Sequence, residues 1–262
     1  MRSVTQAAIS NWRLGKNCYN LFIAGAFWYS RAMKVAHLIF DLDDTLYPSS
    51  SGMNKAIAHN MIAFVAEFLH VPYEQAVKIR LERLCHFGST LEWLMSEGLT
   101  DAEPYFAAVH PENETDGLVK APGLRPFLQS LHIPMTILTN APSEHAERVL
   151  KFLEVRDLFD SITDIRDCGL KGKPYAVAFE TALKRAGGTV QDSLFIDDQK
   201  KYTAGYENVG GVAVQVGSGG GAYQTAVLPD ASKPTGVVKG RTYHLDSIYN
   251  LPDLLHRLGD LV

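Results

Sequence analysis

Acidic residues are absent from the first 33 positions, where Arg2, Arg13, Lys16 and Arg31 are the charged side chains. The same stretch holds a short apolar run, Leu21 to Tyr29, well under the roughly 20 apolar residues that a membrane-spanning helix needs. No other segment of the chain could span a bilayer, so no membrane partner is expected. The basic, acid-free start has two readings: a targeting segment, or an N-terminal extension to a fold that begins near Met33. A cytoplasmic location is expected, with organellar targeting by residues 1–33 as the alternative. Cysteine is scarce too. Cys18, Cys85 and Cys168 form no CxxC pair and no regular framework, which points to free thiols in a reducing compartment and away from a secreted disulfide scaffold. Clustered Lys and Arg are missing, and the net charge is -4. That excludes a general nucleic-acid surface, because binding a phosphate backbone requires concentrated positive charge.

What is present is ordinary for a globular protein: 46% hydrophobic and 21% charged residues over 262 positions, enough for one substantial core and a small accessory domain. Val35 to Phe40 is a compact apolar run that ends in acids, the pattern of a buried parallel strand whose carboxyl end lies at Asp41. Ile133 to Asn140 and Asp192 to Asp198 repeat that grammar of apolar strand and polar tip, and Gly211 to Val216 reads as a further strand. Between them, Ser143 to Val155 and Lys173 to Gly188 have helical spacing, the first with Ser143 placed to cap it and the second closed by glycines. Alternating strands and helices imply an α/β fold, a Rossmann-like parallel sheet flanked by helices. Ligands bind such sheets at the carboxyl ends of the strands near a switch point.

The alternation breaks between Pro48 and about Lys120, where apolar residues recur at helical spacing with no strand-like run. This is expected to be an all-helical cap, residues 48–120, inserted after the first strand into a core formed by 34–47 and 121–262. Over the catalytic edge it would act as a lid that excludes water and selects substrates. The segment from Gly217 to Gly240 reads as a flexible linker, since its glycines lack the GxxxxGK[ST] spacing of a phosphate-binding loop.

Asp41 and Asp43 stand two residues apart just beyond a buried strand. Charges placed beside apolar structure are costly unless paired or bound to a cation, and magnesium, a hard ion held by carboxylates, phosphate and water, would satisfy them. Asp197 and Asp198 end another strand and can complete the coordination. Either cluster alone is a common turn or helix-start feature; both together at strand ends carry the argument. Arg125 and His145 read as surface residues.

In order along the chain, Asp41-Leu42-Asp43-Asp44-Thr45, Thr139, Lys173 and the Asp197-Asp198 doublet resemble the four motifs of the haloacid dehalogenase superfamily of phosphatases, over residues 35 to about 216. The resemblance implies that Asp41 is a nucleophile forming an aspartyl-phosphate, and that Asp43 is the general acid and then base. It further implies that Thr139 and Asn140 hold phosphoryl oxygens and that Lys173 offsets negative charge. Mg2+ would be bound by Asp41, the backbone carbonyl of Asp43, and one or both of Asp197 and Asp198. Thr45 would orient the Asp41 loop through hydrogen bonds. An aspartate two positions after the nucleophile favours phosphate esters over haloacids, while transfer of the phosphoryl group to an acceptor other than water stays open. The segments around Leu46-Tyr47 and Gly88-Ser89-Thr90-Leu91 are similar to the pyrimidine 5'-nucleotidase branch. By that similarity His86, Gly88, Ser89 and Thr90 would lie near the base or sugar of a nucleoside monophosphate, with Phe87 or Trp93 available for stacking. Sugar phosphates, phosphoglycolate and pyridoxal phosphate are the alternative substrates, and a phosphate-binding regulatory protein without turnover is the alternative of another class.

Overall fold

The computed structural model describes residues 33–217 and 241–259. Apart from Met33 and Gly217, the N-terminal extension, Cys18 and the glycine-rich segment lie outside those residues. The described chain builds a six-stranded sheet from β1 (His37–Phe40), β2 (Met135–Leu138), β3 (Ser161–Thr163), β4 (Ser193–Asp197), β5 (Val212–Val216) and β6 (Arg241–Leu245). Every adjacent pair is parallel, in the order β3-β2-β1-β4-β5-β6. From β1 the chain builds outward first on one side and then on the other, so the switch point falls at the carboxyl end of β1. Phe40 is in register with both Ile137 and Ile196, which brings the tips of β1, β2 and β4 side by side.

Strand alternation sends successive side chains to opposite faces. Leu38 and Phe40 join one core cluster, with Ile137, Leu194, Ile196 and Val214. It is covered by α5 (Leu124–Ser130), α6 (Ser143–Phe152) and α9 (Leu251–Gly259). Ile39, Leu138, Phe195 and Ala213 face the other way, onto α7 (Ala176–Ala186) and α8 (Lys200–Asn208). Both faces are covered, as an all-parallel sheet requires.

The span between Pro48 and Lys120 is helical: α1 (Gly52–Leu69), α2 (Tyr73–Arg83), α3 (Thr90–Ser96), α4 (Glu103–Val109) and a 3-10 turn at Glu114–Gly117. These elements bury their own cluster, including Ile62, Val65, Leu91, Trp93, Leu94, Tyr105 and Phe106. Their two connections to the sheet meet where Gly117 lies against the start of α1. A Cβ on Gly117 would sit 2.4 Å from the backbone nitrogen of Met53, so a side chain there would push the two roots apart. No helix among the described residues is long and apolar enough to cross a membrane.

Sequence patterns miss four of these elements. β3 has only three residues, and β6 is a partly exposed edge strand without an apolar run. α5 is a single short stretch, while α9 turns Leu251, Leu254 and Leu258 inward at helical spacing. Ser143 does not cap α6: Pro142 holds the cap position, and the Asp164 carboxylate accepts the Ser143 N–H at 2.9 Å. The helix expected from Lys173 starts at Ala176 because the backbone of Lys173 is engaged by Asn140. Gly117→Ala is expected to destabilise the fold by about 1–3 kcal/mol, the usual cost of forcing atoms into filled space. A urea titration would show this as a lower midpoint at constant m-value; an unchanged midpoint would mean that the two roots do not touch.

Candidate active site

The Asp41 amide donates to Ile196 O at 2.8 Å, locking the tip of β1 to that of β4. The chain then turns tightly, with Leu46 N–H bonded to Leu42 O at 3.0 Å and Asp44 in the left-handed region at φ 63. Two carboxylates two residues apart thereby point to different neighbours. Asp41 faces the buried Lys173 ammonium, which donates to Asp41 Oδ1 at 2.6 Å and to Asp197 Oδ2 at 2.7 Å. Asp43 faces α6 and Tyr47. The Thr45 hydroxyl, expected to orient this loop, is buried without a hydrogen-bond partner among the described residues.

Lys173 reaches the acids because its backbone is held from both sides. The Asn140 amide donates to Lys173 O at 2.9 Å and accepts the Lys173 N–H at 2.7 Å. The contact demands a glycine next door, since a Cβ on Gly172 would lie 2.1 Å from Asn140 Oδ1. Asn140 therefore positions the lysine, and its side chain is committed before any substrate arrives. Thr139 is buried at the tip of β2; its hydroxyl accepts from Ala141 N–H at 3.0 Å, leaving its proton to donate into the cavity it lines.

The charge balance is uneven. Burial raises the Asp41 carboxyl well above its ordinary range; Lys173 pulls it back and Asp197 and Asp43 push it up again. Burial also raises Asp197 against the pull of Lys173. Asp198 is pushed up to about 9 by burial and by Asp197, Asp41 and Asp44, and Asp44 to about 7 by burial and Asp43. One ammonium thus faces more carboxylates than it can neutralise. Oxygen atoms of Asp41, Asp197 and Asp198 lie within 4.8 Å of one another, an all-oxygen donor set short of positive charge, and such a set fits a hard divalent cation. Both Asp197 oxygens are already bonded, Oδ2 to Lys173 and Oδ1 to the Gln199 N–H at 2.7 Å. Asp198 is bonded by the Gln199 side chain through Oδ2. The Asp43 carboxylate is turned out of this acid cluster, leaving its backbone carbonyl as the group it could offer a metal.

His145 is not at the surface: it is fully buried on the inner face of α6. Its Nε2 donates to Asp43 Oδ1 at 2.8 Å and its Nδ1 to Glu114 Oε2 at 2.8 Å. Burial works against a charged imidazole, but Asp43 and Glu114 outweigh it and hold the pKa up at about 9. Asp43 responds in kind: burial would raise it, and His145 with Tyr47 brings it below its ordinary value. Glu114 is also held by His110 at 3.0 Å and by Arg148. A signal was available in the sequence, because His145 is four residues before Val149, the spacing of one helix face. Arg125 lies elsewhere, paired with Asp157 at 2.6 Å.

The cavity above the strand tips has a volume of about 260 Å3 and is lined by Asp41, Asp43, Thr139 and Lys173 below and by residues of the helical insert above. Of the insert residues singled out in the sequence, Gly88, Ser89 and Thr90 line it and His86 does not; His86 is exposed. Ser89 caps α3 by accepting Glu92 N–H, and Thr90 Oγ1 accepts from Arg80 Nε at 2.9 Å. Trp93 is sealed inside the insert and Phe87 packs against the same cluster, so neither is presented as a stacking surface. Arg80, Lys201 and Tyr202, absent from the sequence reading, line the cavity as well. Lys201 donates to Gly88 O at 2.9 Å, and burial together with the Arg80 charge lowers its pKa to about 8.

Known proteins share this architecture. A glyceraldehyde 3-phosphate phosphatase of Methanocaldococcus jannaschii is 24% identical over 180 residues, covering 62% of this chain and 75% of that protein. Among solved structures, CbbY from Rhodobacter sphaeroides in complex with phosphate aligns with a TM-score of 0.57 at 15% identity, over 83% of this chain and 96% of that one. A HAD phosphatase from Thermococcus onnurineus gives 0.55 at 18% identity, over 87% and 100%. L-2-haloacid dehalogenase from Xanthobacter autotrophicus gives 0.52 at 14%, over 85% and 98%. At such identities these structures speak for the fold alone. The profile of haloacid dehalogenase-like hydrolases matches residues 35–201, a stretch that runs from the first strand of the sheet through the Asp197-Asp198 doublet, and the chain belongs to that family.

Proposed function

We propose that the protein is a magnesium-dependent phosphomonoesterase that removes phosphate from a small metabolite through an aspartyl-phosphate on Asp41. The observation that carries this reading is the division of labour within one loop. Asp41 lies against the Lys173 ammonium with the Asp197-Asp198 pair behind it, while Asp43 is turned aside with one oxygen facing the cavity. An Asp41 oxygen attacks phosphorus as the bond from phosphorus to the ester oxygen breaks, and Asp43, which takes up a proton from solvent as the anionic ester settles beside it, delivers that proton to the leaving oxygen. Asp43 then takes a proton from a water molecule whose oxygen attacks the same phosphorus, releasing phosphate and restoring Asp41. Thr139 and the Lys173 ammonium donate to phosphoryl oxygens as charge builds on them. Asp41, Asp198 and the Asp43 carbonyl would hold Mg2+, with Asp197 set behind as the anchor of Lys173; when bound, the ion offsets the repulsion between an anionic nucleophile and an anionic ester.

The substrate is small, because a 260 Å3 cavity is below the roughly 300–1,000 Å3 of sites for drug-sized ligands. Within that limit we propose a pyrimidine nucleoside 5'-monophosphate. The reading is supported by Gly88, Ser89 and Thr90, which line the cavity together with the aromatic side chains of Tyr105 and Phe106. A triose or sugar phosphate is the second reading, favoured by the likeness to a glyceraldehyde 3-phosphate phosphatase.

Phosphate release from a panel of nucleoside monophosphates, triose phosphates and sugar phosphates is expected to require Mg2+, stop in EDTA, and fall by about 10^4-fold or more in Asp41→Asn, the scale set by loss of other covalent nucleophiles. Release led by UMP or CMP supports the nucleotidase reading, and release confined to other esters replaces it. Full activity in Asp41→Asn would refute the covalent mechanism. Lys173→Met should cost about 3–5 kcal/mol at neutral pH, since it leaves two buried carboxylates facing each other without a cation. With that cation gone, both carboxyls titrate still higher in the folded state than in the unfolded one. Folding therefore favours their protonated forms, and the deficit should shrink as pH falls and grow as pH rises through the range in which they ionise. Unfolding curves at pH 5 and pH 8 would read this directly; an equal deficit at both would mean that the acids are not what Lys173 compensates.

A further inference from the structure

Asp43 is gripped by one oxygen only. Its Oδ1 accepts from His145 Nε2 at 2.8 Å and from the Tyr47 hydroxyl, while Oδ2 has no hydrogen-bond partner among the described residues and is the oxygen left for the cavity. The grip is anchored deeply. His145 is 0% exposed and its second nitrogen is fixed to Glu114 Oε2 at 2.8 Å. Glu114, 6% exposed, is clamped through Oε1 by Arg148 Nε at 2.8 Å and Nη2 at 2.5 Å, and through Oε2 by His110 at 3.0 Å. Asn54 Oδ1 lies 3.1 Å from the Tyr47 hydroxyl and competes with Asp43 for its one proton, so His145 is the firmer of the two holds. The buried chain therefore runs from α6 of the core, through the return segment of the helical insert, to the acid arm of the site.

We propose that His145 is a positioning residue. It holds the Asp43 carboxylate by Oδ1, with Glu114 and Arg148 as its anchor, so that Oδ2 points at the leaving oxygen of the ester. The alternative of a second metal centre at His110, Glu114 and His145, whose donor atoms lie close together, is disfavoured by the same contacts: Nδ1 of each histidine is engaged with Glu114, and Arg148 occupies the other carboxylate oxygen. The proposal rests on the reading of Asp43 as the acid. An ester whose leaving group is already a stable anion needs no proton, whereas an alkyl phosphate does. Misplacing Asp43 should therefore damage one reaction and spare the other. A general loss of structure would damage both.

The test compares kcat/KM, which reports formation of the aspartyl-phosphate, for p-nitrophenyl phosphate and for UMP or whichever alkyl phosphate leads the panel. In His145→Leu the alkyl ester should lose about 100-fold, the lower range of general acid catalysis, while p-nitrophenyl phosphate loses less than about 3-fold. Glu114→Gln, which keeps the volume of the anchor, should show the same selectivity to a smaller degree and carries the test if His145→Leu does not fold. His145→Gln, with an amide N–H still able to donate to Oδ1, should recover part of the alkyl-ester rate. Equal losses on both esters in the His145 and Glu114 variants, beside a selective loss in Asp43→Asn, would overturn the positioning role. An Asp43→Asn variant without selectivity would instead remove the reading of Asp43 as the acid, and this proposal with it.

Discussion

The ammonium of Lys173, enclosed between Asp41 and Asp197, is the interaction on which the rest of the site depends. Bringing two carboxylates together at the buried edge of a parallel sheet is prohibitive without a cation, because desolvation and mutual repulsion act in the same direction. The lysine makes the convergence of β1 and β4 tips tolerable, and its own burial is tolerable only because both acids receive it. Its position is set by backbone contacts: Asn140 from the tip of β2 clamps the main chain of Lys173, and Gly172 leaves room for that clamp. Two strand ends are thus joined by one buried charge and a third by the main chain of the residue that carries it. Because a single ammonium cannot balance the full set of acids, negative charge is left over beside the nucleophile, where a divalent cation and a phosphate ester would together complete the balance.

Asp41 and Asp43 start from the same chemistry two residues apart and end in opposite environments. Burial among other acids raises the first; a charged imidazole and a tyrosine hydroxyl lower the second. Ionising the first for attack would fall to a bound cation, and protonating the second to the anionic ester that settles beside it, since a nearby positive charge lowers a carboxyl and a nearby negative charge raises it. The structural means is the turn after β1, with Asp44 in the left-handed region, which separates the two side chains and delivers Asp43 to α6. Through Glu114 that arm is tied to the root of the helical insert, so the placement of the acid and the seating of the insert share a set of contacts.

Asp41, Asp43 and the Asp197-Asp198 pair could be located from sequence because each stands where an apolar strand stops, and position along the chain predicts position at the sheet edge, whereas only the motif resemblance points to Lys173. Other readings failed for a physical reason. His145 looks like a surface residue when taken as one polar letter in a helix, and only its neighbours Asp43 and Glu114, 102 and 31 positions away in the chain, make its burial favourable. His86 and Trp93 sit in a segment whose two ends face opposite ways, one outward to solvent and one into the insert core, while Gly88 between them lines the cavity. Arg80 and Lys201 come to the cavity from the insert and from α8, elements with no local pattern that reveals a shared wall.

Local chemistry by itself determined the alternation of strands and helices, the helical character of the insert, and which acids end buried strands, since these follow from apolar periodicity and from the cost of placing charge beside it. Tertiary structure alone decided which carboxylates share the lysine, which oxygen of Asp43 stays free, and which insert residues meet the cavity. Those outcomes depend on contacts between segments far apart in the chain, and the energy of a buried charge is set by the partners that folding brings to it.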